Sequence, residues 1–369
     1  MLPNRSAISV FSGCPIAAVL FACGSVDLQA TALVQQQIPP DVSCDVVGGS
    51  TFYVAGRHLC SPCGEAVVLR GVNEMVTYIG AQAAAAAFSE IAKTNANSIR
   101  IYWHTSDTAD DLDRVLSDAE AQRLVPIVYA FNGGEFEQDQ VVIPTSVSQA
   151  VDYWTSEAVN RVLDKHQSWL IIALREKSND GSSAAGTWAS RYDAAIARMR
   201  TASINVPLAI DAPLAGADVE TLLSSSGQAR IAADPSHNLL LNVNAGGSSD
   251  SGETLAAQLN RAHAAVLPLL IGEVSGFSHT ADYSCAGQYS YSTVLAAAER
   301  TQTGWLAWSW GLAKNQYCTS LDMTADGTFS GLTDWGLDAA VTNDNSISKT
   351  SRAAQYTPGS SCEPIDRDH

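Results

Sequence analysis

The sequence predicts an α/β protein built as a (β/α)8 TIM barrel, and three observations lead to this fold class. Apolar runs typical of buried strands alternate with segments of helical periodicity, which is the pattern of parallel βαβ units. Eight runs occur, enough to close a barrel. No glycine-rich phosphate turn follows the first run, as an open doubly wound sheet would require. The runs occupy residues 67–72, 98–103, 125–130, 169–174, 206–210, 239–243, 267–272 and 304–310.

Helical segments are predicted in the intervals between these strands. In the clearest one, Leu112, Val115, Leu116 and Ala119 form the stripe of a helix that faces a core. A chain of 369 residues is long enough for two domains, but α/β barrels of this size remain single domains. The other helices are predicted near residues 83–93, 147–165, 188–201, 216–224, 254–265 and 292–301.

The segment before the barrel predicts export. Residues 1–23 combine a positive charge at Arg5 with a short apolar stretch, as in a signal peptide. Leu20-Phe21-Ala22-Cys23 resembles a bacterial lipoprotein signal, so two alternatives stay open: membrane anchoring through a lipidated Cys23, or a secretory signal cleaved nearby. Residues 24–43 are predicted to be a linker and 44–369 the barrel domain. A short hairpin, with strands near 52–54 and 65–69, is predicted to cap the barrel bottom.

Six cysteines follow the export segment, and an even number in an exported chain predicts disulfides. Barrel termini lie close together, which favours a bond between Cys44 and Cys362. Cys285 and Cys318 follow neighbouring strands and are expected to pair. The remaining two, Cys60 and Cys63, are expected to close a tight turn between themselves, with a redox or zinc site as the alternative.

The net charge of the chain limits the classes of molecule that it is expected to bind. The formal net charge is −17, which disfavours nucleic acid, anionic membranes and acidic polysaccharides but does not repel a neutral polymer. No cluster has metal-ligand spacing, and neither a metal nor a cofactor is expected.

Polar residues at the carboxyl ends of barrel strands are the candidates for chemistry. They include the carboxylates of Glu74, Glu176, Asp211 and Glu273, at the ends of the first, fourth, fifth and seventh strands. Trp308 and Trp310 on the eighth strand are predicted to share one side by strand alternation. Two carboxylates beside aromatic rings suit a glycosidase, in which one attacks the anomeric carbon and the other acts as acid and base. The alternative is a pair of structural carboxylates in salt bridges.

Motifs spread over residues 52–356 narrow this chemistry to a family. The most specific are 304–310 (GWLAWSW) and 332–336 (LTDWG), the weaker ones are 69–73 (LRGVN) and 97–100 (NSIR), and 149–154 (QAVDYW) and 269–273 (LLIGE) add to them. Together they resemble glycoside hydrolase family 5, and within it the bacterial endo-β-1,4-mannanases.

The resemblance implies a role for each matching residue. Glu273 is the expected nucleophile, Glu176 the general acid/base, and Arg100 the residue that holds the carboxylate of Glu273. Trp308, with Trp310, is the expected floor of the central sugar subsite.

Several supporting positions depart from the family pattern. Arg175 stands where the family has the asparagine of its Asn-Glu pair, and a cation there favours the ionised form of Glu176, against catalysis. Asn244 and Gly246 replace the histidine and the nucleophile-contacting tyrosine of the sixth strand. Tyr129 lies where the third strand normally has a histidine-aspartate pair. Arg175, Tyr129 and Asn244 are therefore candidate substrate contacts.

Two functions remain open at this point. In the first, the protein is a secreted retaining glycoside hydrolase that acts on β-1,4-linked neutral polysaccharide, mannan or glucomannan. In the second, it is a catalytically impaired barrel that binds glycan or has a structural role at the cell surface. The retained Glu176, Glu273 and Arg100 favour the hydrolase, whereas the changed asparagine, histidine and tyrosine positions favour the alternative.

Overall fold

The computed structural model describes most of the barrel region of the chain. The predicted signal segment and all but the last residue of the predicted linker lie outside the described residues, as does Glu176. Among the described residues no helix is both long and apolar enough to cross a membrane. The described residues are 43–45, 49–131, 146–175, 185–245, 251–279, 285–311, 318–354, 356 and 362.

Eight parallel strands close into a barrel, which confirms the predicted fold class. Each strand pairs with the next along the chain, and the last one pairs with the first. The barrel strands are β3 (Arg70–Glu74), β4 (Ser98–His104), β5 (Val125–Phe131), β6 (Ile171–Leu174), β7 (Leu208–Asp211), β8 (Leu239–Asn244), β9 (Leu269–Val274) and β12 (Gly304–Ala307). Two hairpins lie outside the barrel, β1 (Tyr53–Ala55) with β2 (His58–Cys60), and β10 (Phe277–His279) with β11 (Cys285–Gln288).

Helices fill the intervals between the barrel strands and follow them to the end of the domain. They are α1 (Val76–Ile79), α2 (Ala84–Ala92), α3 (Ala109–Ala121), α4 (Val147–Trp154), α5 (Glu157–His166), α6 (Ala185–Thr201), α7 (Val219–Leu223), α8 (Ser225–Ala233), α9 (Gly252–Ala264), α10 (Tyr291–Thr301), α11 (Asp334–Leu337) and α12 (Ile347–Thr350). Short 3-10 turns occur at Gln167–Trp169, Thr319–Leu321 and Phe329–Gly331, and a π turn at Asp338–Thr342.

Some predicted boundaries differ from the structure for local reasons. The predicted helix 147–165 is two helices, because α4 ends at Trp154 and Ser156, in an extended conformation, precedes the start of α5 at Glu157. The predicted eighth strand extends to residue 310, whereas β12 ends at Ala307. The second strand of the first hairpin is β2 (His58–Cys60) and not the predicted segment 65–69. Gly56, whose positive φ of 56° suits glycine, places the turn directly after β1.

Strand alternation divides the buried side chains into two layers. One cluster fills the barrel interior and includes Tyr102, Ile127, Tyr129, Leu240 and Trp308. The other lies between the strands and the helices and contains the complementary positions of the same strands, such as Trp103, Val128 and Leu241. The interior layer therefore decides which side chains meet at the barrel mouth.

The bottom of the barrel is covered by the segment that leads into the first hairpin. The ring centroid of Phe52 lies 5.6 Å from that of Trp169, which precedes β6. The Phe52 carbonyl accepts a hydrogen bond from Asn238, which precedes β8, at 3.0 Å. These contacts join the segment to the amino ends of two barrel strands.

Three disulfides link the described cysteines, and only one of the expected pairs is confirmed. Cys285 bonds to Cys318 as predicted. The expected pairs Cys44–Cys362 and Cys60–Cys63 are wrong, because Cys60 bonds to Cys44 and Cys63 bonds to Cys362. Cys60 ends β2 and is directed to the segment before β1, so the barrel ends are joined through Cys63. Since both cysteines are bonded elsewhere, neither is available for a redox or zinc site.

His166 links two outer helices through carboxylates. Its Nδ1 lies 2.6 Å from Glu120 Oε1 and its Nε2 lies 2.6 Å from Asp113 Oδ1, both on α3. Burial opposes a positive charge on the ring, but the two carboxylate partners outweigh it and raise the pKa of His166 above its ordinary value of 6.5. The charged ring therefore binds α5 to α3.

Stability should depend on pH through this histidine. Since the pKa of His166 is raised in the folded state, its contribution is complete below the unfolded value of about 6.5 and is lost as pH rises through the folded value. His166→Gln should lower the free energy of unfolding by about 1–3 kcal/mol near pH 6, and by less as pH rises to about 9. Urea unfolding at several pH values measures this. His263→Gln, an exposed histidine, is the control, and a pH-independent difference for His166→Gln would contradict the prediction.

Candidate active site

Arg100 and Tyr102 enter the barrel interior from the same strand. They are two residues apart on β4, so alternation directs both side chains inward while Ile99, Ile101 and Trp103 face the helices. Both are fully buried. Arg100 was a predicted site residue, whereas Tyr102 was missed even though it shares the face of Arg100.

A register shift directs Glu273 into the same interior. Ile271 pairs with Val243 but Glu273 pairs with Asn244, so β9 contains one extra residue at this point. Ile271 faces the helices, and an unbroken strand would turn Glu273 outward as well. The bulge reverses this direction, a recurrent use of bulges beside active sites.

Gly272 and Asn73 fix the bulge in place. A Cβ atom on Gly272 would lie 2.3 Å from the Asn242 Oδ1 atom, so this position accepts only glycine without movement of its neighbours. Asn73 Nδ2 donates to the carbonyl oxygens of Gly272 at 2.8 Å and of Ala307 at 3.1 Å. The ends of β3, β9 and β12 are thereby joined around Glu273.

Three donors converge on a single oxygen of Glu273. Arg100 Nη1 lies 2.9 Å from Oε1, Tyr102 Oη 2.6 Å and Arg175 Nη1 2.5 Å. The side chain of Glu273 is 13% exposed, whereas that of Arg100 is 1% exposed. The carboxylate is therefore held from below and opens toward the barrel mouth, and its charged form is strongly favoured by these donors.

Asp211 balances the charge of the two arginines. Its Oδ1 lies 3.9 Å from Arg100 Nη2 and its Oδ2 lies 3.6 Å from Arg175 Nε, while Asn242 donates to Oδ1 at 2.8 Å. Burial raises the pKa of Asp211 above its ordinary value, and the two cations and the amide donor oppose this rise without cancelling it. Two arginines and two carboxylates thus form a buried group without net charge.

Arg175 is turned toward the nucleophile position. Burial opposes its charge, but Glu273 and Asp211 outweigh this effect and raise the pKa of Arg175 well above its ordinary value. The predicted effect of Arg175 on Glu176 stays a prediction, because Glu176 is outside the described residues. What the structure shows is an arginine whose Nη1 is used by Glu273 and Tyr102.

Aromatic rings surround this charged group. The Tyr129 ring lies under both guanidinium groups, with its centroid 5.7 Å from Arg100 Cζ and 5.8 Å from Arg175 Cζ. Tyr129 is fully buried, so it contacts the arginines below the mouth. Trp308, which is 8% exposed, packs edge-on against the ring of Tyr102, with 5.2 Å between the ring centroids.

Trp310 does not share the side of Trp308. It is 1% exposed, belongs to the layer between barrel and helices, and donates through Nε1 to the Gly327 carbonyl at 2.9 Å. The expected alternation fails here because β12 has already ended at Ala307. Trp310 instead lines an outer groove with Glu74, the residue that ends β3. Burial raises the pKa of Glu74 to about 8.

Asn244 lies at the mouth and is bonded to protein groups on several sides. Its Nδ2 donates to the Ala215 carbonyl at 2.8 Å and lies 3.4 Å from Asp211 Oδ2, and its Oδ1 accepts from Asn242 at 3.1 Å. These bonds tie the end of β8 to the loop after β7.

In the parts of the chain that the structure describes, no group of three or more His, Cys, Asp or Glu side chains is suited to a metal ion.

The chain is similar over most of its length to known mannanases. The chain is 31% identical over 299 residues to the mannan endo-1,4-beta-mannosidase of Salipaludibacillus agaradhaerens, a match that covers 77% of this chain and 89% of that protein. The chain belongs to the mannan endo-1,4-β-mannosidase family. This confirms the resemblance to the mannanases of glycoside hydrolase family 5 that the motifs indicate.

Two further mannanase-family relatives agree in sequence and in structure. The mannan endo-1,4-beta-mannosidase of Cellvibrio japonicus is 26% identical over 321 residues, covering 85% of this chain and 71% of that protein. The beta-mannanase of Streptomyces thermolilacinus, solved with mannohexaose, has a TM-score of 0.71 at 27% identity, covering 83% of this chain and 98% of that one. No family model matches the chain.

Proposed function

We propose that this protein is an endo-β-1,4-mannanase that cleaves mannan or glucomannan with retention of anomeric configuration. The observation that carries the proposal is Glu273, which a bulge directs into the mouth of the barrel and which Arg100 holds at 2.9 Å. Support comes from the family relatives, which are mannan endo-1,4-beta-mannosidases and match most of this chain.

In the proposed reaction Glu273 is the nucleophile and Glu176 the general acid/base. The ionised Glu273 carboxylate attacks the anomeric carbon while Glu176 gives a proton to the leaving glycosidic oxygen. Glu176 then removes a proton from a water molecule whose oxygen attacks the anomeric carbon, and the bond between the sugar and Glu273 breaks, which restores both carboxyl groups. This double displacement needs the two carboxyl groups about 5–5.5 Å apart. Trp308 supplies an apolar edge beside the reacting sugar, and the balanced charge of the buried group suits a neutral polymer.

Sugar release from purified protein tests this function. We expect reducing ends to appear from β-mannan, glucomannan and mannohexaose, with the first product in the β configuration by NMR. Cellulose and xylan are the substrate controls. Binding of mannohexaose without hydrolysis over about pH 4–8 would refute the hydrolase and indicate a glycan-binding barrel.

Gly272→Ala should show that the bulge aims the nucleophile. The added Cβ would lie 2.3 Å from Asn242 Oδ1, so β9 or Asn242 must move. We expect a loss of about 1–3 kcal/mol in stability and about 10²-fold in kcat/KM, since a displacement of about 1 Å is enough for such a loss. Gly49→Ala is the matched control, because its Cβ would lie 3.6 Å from the Thr51 carbonyl oxygen. Equal activity of the two variants would contradict this role of the bulge.

We propose further that the protein is exported. Three disulfides support this, since disulfides persist in oxidising compartments. Mass spectrometry of the amino terminus of the protein recovered from its natural source distinguishes a lipidated Cys23 from a cleaved secretory signal. An intact Met1 on the folded protein would refute export through this segment.

A further inference from the structure

Tyr102 has a hydroxyl group that packing alone does not require. Its ring is fully buried among Tyr129, Phe131 and Trp308, with centroid distances of 4.9, 6.1 and 5.2 Å. A phenylalanine ring would make the same contacts. The hydroxyl instead lies 2.6 Å from Glu273 Oε1.

Arg175 fixes the direction of this hydrogen bond. Its Nη1 donates to Tyr102 Oη at 2.8 Å, and a guanidinium group has no acceptor, so the phenol oxygen must accept. The single phenol hydrogen is then available for Glu273. Burial raises the pKa of Tyr102 well above its ordinary value, so the hydrogen is retained at neutral pH.

The sixth strand has no phenol to serve the nucleophile. The family resemblance places a tyrosine at the position of Gly246, and glycine has no side chain with which to reach Glu273. In this protein Tyr102 on β4 donates a phenol hydrogen bond of the same kind. β4 lies opposite β8, the sixth barrel strand, across the barrel interior.

We infer that Tyr102 is the positioning residue of the Glu273 nucleophile and replaces the missing tyrosine of the sixth strand. Together with Arg100 and Arg175 it restrains Oε1, which fixes the rotation of the carboxylate. Arg175 has a part in this arrangement because it orients the hydroxyl. The inference rests on the proposed function and deepens it, since it assigns a residue of the same reaction.

The variant Tyr102→Phe tests the inference, and Tyr291→Phe is its matched control. Tyr291 also donates to a carboxylate, Asp338 Oδ2 at 2.7 Å, but in the outer layer of the domain. We expect Tyr102→Phe to lower kcat on β-mannan by about 10–100-fold with little change in KM, as for loss of one preorganised donor. The acidic limb of the kcat/KM profile should move to higher pH, because the carboxylate loses a donor that favours its charge. Unchanged kcat and pH profile, or a change in KM alone, would overturn the inference.

A second measurement needs no turnover. A water-soluble carbodiimide modifies protonated carboxyl groups, and peptide mass spectrometry reads the extent of modification at Glu273. In Tyr102→Phe this labelling should extend to higher pH than in the wild type, and in Tyr291→Phe it should not. If the wild type hydrolyses no mannan, the proposed function fails, while the labelling shift still supports Tyr102 as the partner of Glu273. An identical labelling profile in wild type and Tyr102→Phe refutes the inference whether or not the protein is active.

Discussion

Replacing Glu273 by glutamine is expected to lower kcat/KM on β-mannan by about 10⁴-fold or more, as for loss of a catalytic nucleophile. Glutamine keeps the size of the side chain, and its amide oxygen still accepts from Arg100 and Tyr102. It has no carboxylate with which to form the glycosyl intermediate. The variant should therefore form the glycosyl intermediate more slowly, while the position of the strand stays unchanged. Initial rates on β-mannan and mannohexaose measure it.

Glu157→Gln is the matched control for this variant. Glu157 begins α5, its side chain is 87% exposed, and it pairs with Arg161 on the surface. This control should keep full activity and stability. Near-UV circular dichroism of Glu273→Gln checks that the barrel is intact. If Glu273→Gln kept more than about a tenth of wild-type activity, Glu273 would not be the nucleophile.

The alternation of side chains between the two faces of each strand explains how much of the site can be predicted from the sequence. Eight apolar runs fix the barrel, and period-two alternation from Arg100 would have found Tyr102 on the same face. The same reasoning places Asp211 inward from Ala209. Tyr102 lies within β4 and outside the family motifs, so neither the strand ends nor the motifs indicate it, whereas the alternation of side chains does.

Other features depend on contacts that no local pattern contains. The extra residue in β9 is a matter of register between strands, so the inward direction of Glu273 followed from the family motif and not from alternation. The end of β12 at Ala307 separates Trp308 from Trp310 although the sequence continues a strand-like pattern. The cysteine pairs depended on where the first hairpin turns, and its second strand lies at His58–Cys60 and not at 65–69.

The sequence suggests that Arg175 opposes catalysis by favouring the ionised form of Glu176, whereas the contacts that the structure describes for its guanidinium group are with Glu273 and its neighbours. Its guanidinium bonds Glu273 and Tyr102 and lies 3.6 Å from Asp211, so its charge is neutralised within the buried group. The asparagine that the family has at this position would leave Glu273 and Asp211 with Arg100 alone. Two like charges would then lie in the interior with one cation between them, which is unfavourable.

Arg175→Asn is therefore expected to weaken the protein, although it restores the residue of the family. Loss of one partner from a buried ionic group costs about 3–5 kcal/mol, which for a domain of this size lowers Tm by about 6–10 °C. Activity should fall as well, since Tyr102 and Glu273 lose a shared partner. Arg198→Asn removes an arginine from an exposed pair with Asp152 and should cost less than about 1 kcal/mol.

The double variant Arg175→Asn with Asp211→Asn separates charge balance from other causes. It removes one cation and one anion, so Arg100 and Glu273 remain as a balanced pair. Its Tm should lie above the value obtained by adding the losses of the two single variants, because the two sites interact directly. Additive losses would show that Arg175 and Asp211 act independently. A faster and equally stable Arg175→Asn would show instead that the arginine hinders Glu273, which is the interpretation that the sequence alone favours.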